Sequence, residues 1–232
     1  MTEVFTCESP FVTLDNRRSR PVLPTTAESL NHRHRQLLPP HLLRGRTVLD
    51  LGCCIGATGH WALSLGASSY TGVEHQAEYS RQAQDLLGGS PAVRVLCRDA
   101  TDFAAERPGR YDIVAMLGVA HGLYDPLALI RDGCAMAEQF VCFEDFGRDE
   151  QAPVLLANPS VPMPLAGERA GTRGFGWWFS PAAMELVFRF LGFAPDMRPV
   201  FLTDTRWLCR YRRVSEVARS AAYSDVKVPW AP

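Results

Sequence analysis

Between Arg46 and Asp145, short apolar runs of strand type alternate with helical stretches, and this rhythm narrows the available folds more than any other feature. Thr47-Val48-Leu49-Asp50-Leu51 is apolar and β-branched and closes at Gly52, the pattern of a buried strand, and residues 57–65 continue as a helix. Ser69 to Val73 forms a second strand ending at Glu74, and Gln76 to Leu87 a second helix stopped by Gly88-Gly89. A third strand over Val93 to Cys97, a link around 101–106, a fourth strand over Tyr111 to Leu117, a helix over 126–137 and a fifth strand over Phe140 to Glu144 complete the series. Strands separated by helices pair in parallel through right-handed crossovers, which place helices on both faces. With two more strands near 197–203 and 205–212 forming an antiparallel edge, the expected class is α/β: a doubly wound, mostly parallel, seven-stranded sheet.

The flanks divide the chain. Residues 1–40 form an N-terminal arm or cap, with a short helix from Thr26 to Leu38 that carries Asn31-His32-Arg33-His34-Arg35 along an exposed face. Residues 41–212 form the α/β domain, interrupted by a Pro/Gly-punctuated insertion at 146–179, too long for an ordinary connection and placed to act as a lid. Ser180-Pro181 starts a helix through Leu191, and 213–232 is a peripheral tail.

Composition excludes several chemistries. Net charge is −1, so no positive surplus exists to neutralise a phosphate backbone, and nucleic acid is not an expected partner. Lys227 is the only lysine, which removes Schiff-base and phosphate-loop lysines from the body of the chain. The start lacks a basic segment followed by an apolar core, and no run reaches the roughly 18 apolar residues of a membrane helix. Seven cysteines without CxxC spacing suit a reducing compartment, so a soluble cytoplasmic protein, monomer or homodimer, is expected, with no membrane partner. His32 and His34 with Cys53 or Cys54 match no metal-ligand spacing, and no metal is expected.

The chemistry concentrates in Val48-Leu49-Asp50-Leu51-Gly52-Cys53-Cys54-Ile55-Gly56-Ala57-Thr58-Gly59, a strand, a small-residue turn and a helix start, where a ligand can approach the backbone at a positive helix end. Glu74, at the tip of the second strand, can accept hydrogen bonds from both hydroxyls of a ribose. Here the chain resembles the class I S-adenosylmethionine-dependent methyltransferases, whose first motif and acidic second-strand end match VLDLGCCIG and GVE. Cys97-Arg98-Asp99-Ala100 is similar to the family's segment around the adenine amine, and Asp112 to Val119 to its fourth strand and the loop facing the methionine portion. The resemblance covers roughly residues 46–145. It implies S-adenosyl-L-methionine as cofactor, with Asp50, Gly52, Cys53, Gly56, Glu74, His75, Asp99, Ala100, Leu117 and Gly118 around it. Cys54 departs from the pattern, standing where many members have the middle glycine of the turn.

His121 and Tyr124, beyond the fourth strand, and Asp145, after the fifth, border the crevice where open α/β sheets bind substrates, and are the candidates for proton transfer. Glu144 faces the same crevice, and Phe175, Trp177, Trp178 and Phe179 offer aromatic faces to a sulfonium cation. The resemblance implies methyl transfer, most simply to a small-molecule acceptor of secondary-metabolite type. Intramolecular cyclisation of S-adenosylmethionine to azetidine-2-carboxylate and methylthioadenosine, or cofactor binding without catalysis, are the alternatives.

Overall fold

A computed structural model describes residues 3–13, 25–149, 153, 155–158 and 176–214. Five strands, β1 (Thr47–Leu51), β2 (Ser69–Glu74), β3 (Val93–Cys97), β4 (Tyr111–Leu117) and β5 (Ala137–Phe146), pair in parallel. The sheet continues through β10 (Arg206–Arg213) and β8 (Phe193–Pro195) in the order β3-β2-β1-β4-β5-β10-β8, and β9 (Val200–Thr203) pairs with β10 off this path. The seven strands expected, β1 to β5 with β9 and β10, are all present, and β8 adds an eighth at the antiparallel edge. Two differences are local. β5 begins three residues early because the preceding helix runs straight into it, and β8 was not anticipated, three residues being too few to display alternation.

Side-chain alternation along each strand divides the core between two faces. Leu49 and Leu51 of β1, Val114 and Met116 of β4 and Phe143 of β5 face one cluster. It is closed by α5 (Ala100–Glu106), α6 (Pro126–Met136) and α7 (Pro181–Phe190). Val48, Ile113, Ala115 and Leu208 face the other, closed by α1 (Ala27–Leu37), α2 (Pro40–Leu43), α3 (Ala57–Ser64) and α4 (Ala77–Leu87). The link expected around 101–106 is therefore a regular helix, started by Asp99, whose Oδ1 accepts from the N–H groups of Thr101 and Asp102. Within the insertion, β6 (Leu155–Asn158) and β7 (Gly176–Phe179) make an antiparallel pair.

The N-terminal helix exposes Glu28, Ser29 and His32, but not the whole segment expected at its surface. Asn31 and His34 are buried. Asn31 accepts from the N–H groups of Val4 and Phe5 and donates to the Phe5 carbonyl, pinning the arm's first strip of chain to α1. At the other end of the helix, Arg210 of β10 donates to the carbonyls of Gln36 and Leu37, satisfying acceptors that a helix end leaves open. The arm is thereby tied to the C-terminal strand. Among the described residues no helix is long and apolar enough to cross a membrane.

Candidate functional site

Sheet order reverses at β1, which has β2 on one side and β4 on the other, and open α/β sheets bind ligands in the crevice at such a point. The β1–α3 turn is built from residues of positive φ at Gly52 (+81°), Cys54 (+53°) and Gly56 (+85°). A Cβ on Gly52 would stand 2.8 Å from Cγ2 of Val119, so this turn and the loop after β4 touch across the switch point. The N–H groups of Gly52 and Cys53 donate to the Val73 carbonyl, that of Cys54 to Oε2 of Glu74, and that of Gly56 to the Cys53 carbonyl. These four donors hold the turn itself, and what it offers a ligand is close approach of backbone.

Asp50 and Cys53 also turn inward. Asp50 is buried and accepts from the Tyr70 hydroxyl at 2.9 Å. Burial raises its pKa to about 6, against the opposing effects of Tyr70, Arg33 and Thr58. The Cys53 thiol lies in the core, where burial pushes its pKa far up. Both side chains help order the turn, one of the roles expected of Asp50. Glu74 is held at the end of β2 by the N–H groups of Cys54 and Gln76, and the half-exposed His75 ring lies 3.1 Å from its Oε1. Burial opposes ionisation of Glu74, but His75 and those two N–H groups outweigh it and hold its pKa below the ordinary value. Exposed Asp99 caps α5 through Oδ1 alone, and Ala100 follows it into the core. Gly118 (φ +71°) follows the buried Leu117 and donates its N–H to the Glu144 carbonyl.

His121 and Asp145 come together. Nδ1 of His121 lies 2.7 Å from Oδ1 of Asp145, off the line of the ring N–H, and the His121 backbone N–H donates to Oδ2. Asp145 is wholly buried, with both its carboxylate oxygens against His121. Tyr124 is 64% exposed and makes no hydrogen bond among the described residues; it is not brought to the pair.

Glu144 is 1% exposed and stands between two guanidinium groups, Arg33 from α1 and Arg206 from the start of β10. Burial alone would raise its pKa, but Arg206 and Arg33 hold it below the ordinary value. Arg206 escapes sequence reasoning because its partner lies on a strand 62 residues away. Of the aromatic cluster, Phe175 lies outside the described residues. Phe179 is fully buried edge-on to Phe143, so it belongs to the core and lines no pocket, contrary to expectation. Trp177 donates to the Leu123 carbonyl, tying β7 to the loop after β4, and Trp178 stacks under Arg148 at 4.5 Å. Among the described residues, no group of three or more His, Cys, Asp or Glu is placed to hold a metal ion.

Residues 48–132 match a family described as a methyltransferase domain. A ubiquinone biosynthesis O-methyltransferase of Bordetella parapertussis is 27% identical over 157 residues, 66% of this chain and 64% of that protein. One from Xanthomonas campestris pv. campestris is 35% identical over 94 residues, covering 40% of this chain and 38% of its own. The chain thus spans under two thirds of the length of these relatives. In fold it resembles the magnesium protoporphyrin IX methyltransferase of Synechocystis, solved with bound S-adenosylmethionine (TM-score 0.56, 15% identity, 90% and 93% of the two chains). It also resembles the 1,6-didemethyltoxoflavin-N1-methyltransferase of Burkholderia thailandensis (TM-score 0.57, 18% identity, 81% and 79%).

Proposed function

We propose that this chain, whose residues 48–132 match a methyltransferase domain, is a class I S-adenosylmethionine-dependent methyltransferase that transfers a methyl group to a hydroxyl oxygen of a small-molecule acceptor, with His121 receiving the proton. The observation that carries this reading is the His121–Asp145 pair beside the switch point. The sequence relatives' name, O-methyltransferase, favours oxygen as the acceptor atom.

The donor set fits the cofactor. Glu74 has a lone-pair position left on Oε2 for a ribose hydroxyl, and Asp99 keeps Oδ2 for an exocyclic amine. Arg33, brought over the crevice by α1, supplies a guanidinium for an amino-acid carboxylate. When bound, the cofactor supplies an electrophilic methyl carbon. The chain's own work is to align an acceptor hydroxyl with it, exclude water, and take up the proton. A buried carboxylate beside Nδ1 favours the tautomer protonated there, which leaves Nε2 as the proton acceptor.

The test is incubation of the purified chain with S-adenosylmethionine, with and without a panel of phenols and catechols, the nucleoside products being resolved by mass spectrometry. Acceptor-dependent S-adenosylhomocysteine is expected, with His121→Gln lowering kcat by about 10²- to 10⁴-fold and leaving cofactor binding in place. Acceptor-independent methylthioadenosine with azetidine-2-carboxylate would replace this reading by cyclisation, to which no compared protein's name points.

A further inference from the structure

We infer that His75 gates the cofactor site: it holds the place on Glu74 that a second ribose hydroxyl needs, and it leaves that place when the nucleoside binds. The inference rests on the reading that Glu74 takes the ribose, and adds the residue that competes for it.

The two oxygens of Glu74 are not equally available. Oε2 accepts from the Cys54 N–H at 3.0 Å and keeps one lone-pair position. Oε1 accepts from the Gln76 N–H at 2.8 Å, and Nδ1 of His75 lies 3.1 Å from the same oxygen. A carboxylate oxygen offers two lone-pair positions, so Gln76 and His75 between them account for both on Oε1. A ribose presents adjacent hydroxyls, and holding both on one carboxylate takes an oxygen for each. While His75 stays, one hydroxyl fits and the other does not. Glu74 cannot turn to make room, being 5% exposed and held at both oxygens by backbone. His75 can. With Gln76 it forms the whole link between β2 and α4, so its backbone is fixed beside the carboxylate while its side chain is 49% exposed. Its ring makes no other hydrogen bond or ion pair among the described residues.

The competitor is titratable, which puts the gate under proton control. Contact with Glu74 raises the pKa of His75 against the opposing effect of burial, and the charge of Asp99 adds to the rise. Below that raised value the contact is an imidazolium on a carboxylate, about twice as strong as its neutral counterpart. A nucleoside that frees the ring returns it towards its ordinary pKa and releases a proton. Cofactor affinity therefore rises with pH through this window and levels off above it. Other charged and titratable groups surround the ring. Asp99 caps α5 beyond the end of β3, the Cys97 thiol lies 3.9 Å from the His75 carbonyl, and Arg98 is paired with Glu106. Buried Asp50 feels the charge of Glu74 and has a pKa of about 6, so it adds a pH dependence that replacing His75 leaves in place.

The experiment titrates S-adenosylhomocysteine calorimetrically into the full chain from pH 6 to pH 8, in wild type and in His75→Phe, which keeps an aromatic ring and has no proton to lose. Wild type is expected to tighten over that range by about fivefold more than the variant, the difference between a charge-assisted and a neutral contact. At pH 6 the variant should bind more tightly than wild type. His75→Gln, which does not titrate either, gives the same comparison should the phenylalanine variant fail to fold. In wild type the His75 ring resonances should report a pKa that falls when S-adenosylhomocysteine is added. Parallel pH curves, variants that bind more weakly at every pH, or a His75 pKa unmoved by the ligand overturns the gate. Failure of the parent reading looks different. No binding to wild type, or undiminished binding in Glu74→Gln, would take the ribose away from Glu74 and the gate with it. Loss of binding in Glu74→Gln together with parallel pH curves would keep the ribose there and remove only the gate.

Discussion

Replacing Glu144 by glutamine preserves volume and removes a buried charge that both Arg33 and Arg206 face. Taking one member out of a buried ion pair costs about 3–5 kcal/mol, because the partner charge is left without compensation. Here the partners are not sealed in: the Arg33 side chain is 20% exposed and that of Arg206 29%, so each can turn partly to water. The expected loss therefore falls just below that range, about 2–3 kcal/mol. For a chain of this size that corresponds to a fall in Tm of roughly 5–10 °C, readable by calorimetry at pH 7.5. The pH dependence has a definite sign. Glu144 has a folded pKa below its unfolded value, so its contribution is fully present above the unfolded value and is lost as pH falls through the folded one. The gap between wild type and variant should stay constant from pH 8 to about 5 and close only in stronger acid. Arg33→Gln and Glu144→Gln together should cost less than their sum. A variant melting within 2 °C of wild type, or a gap already closed at pH 6, would refute this account of how the arm and the C-terminal strand are joined.

Three further outcomes are expected. Asp50→Asn should be more stable than wild type at pH 7.5 by roughly 1–3 kcal/mol. Between the unfolded carboxylate value and about 6 the native state retains a proton that the unfolded chain releases, so wild-type stability falls as pH rises through that window; a variant less stable at pH 8 contradicts this. Asn31→Ala strands the N–H groups of Val4 and Phe5 at a cost of about 1–3 kcal/mol and should expose residues 3–13 to limited proteolysis, whereas unchanged protection would show that the arm is held by other contacts. In urea titrations Cys54→Gly should leave stability within about 1 kcal/mol of wild type, since relief of the positive φ offsets the entropy of glycine, while Gly52→Ala, pressed against Val119, should lose at least about 2 kcal/mol; equal effects would refute the strain argument.

The strands around the switch point are legible because each signal is local. Thr47–Leu51 and Tyr111–Leu117 are mostly apolar runs, each broken by a single aspartate, with glycine directly behind them, and buried parallel strands have near that form. β5 hides its first residues because Glu138 and Gln139, at the sheet's rim, are polar without leaving the strand. The arm is misread for a different reason. Asn31 and His34 look like solvent-facing residues of a polar helix, yet Asn31 is satisfied by chain 26 and 27 residues earlier and His34 by the Leu30 carbonyl and Thr58. Polarity predicts exposure only when the partner is water. The site divides in the same way. Glu74 is a candidate from its place at a strand end and Asp99 from the family resemblance, whereas Arg206 acquires its place from a strand that folds back across the sheet.

The position of β10 also bears on how the protein is made. The five parallel strands are complete once Phe146 has emerged, but the neighbour of β5 is synthesised some sixty residues later and enters between β5 and β8. Until then the nascent chain displays an unpaired edge whose centre is Phe140-Val141-Cys142-Phe143, a template for pairing with another copy. Production is therefore most vulnerable before residue 206 exists. Ribosome stalling or premature termination within 147–205 should yield aggregation rather than a smaller folded domain, and slow translation of that stretch would demand chaperone cover for one strand edge.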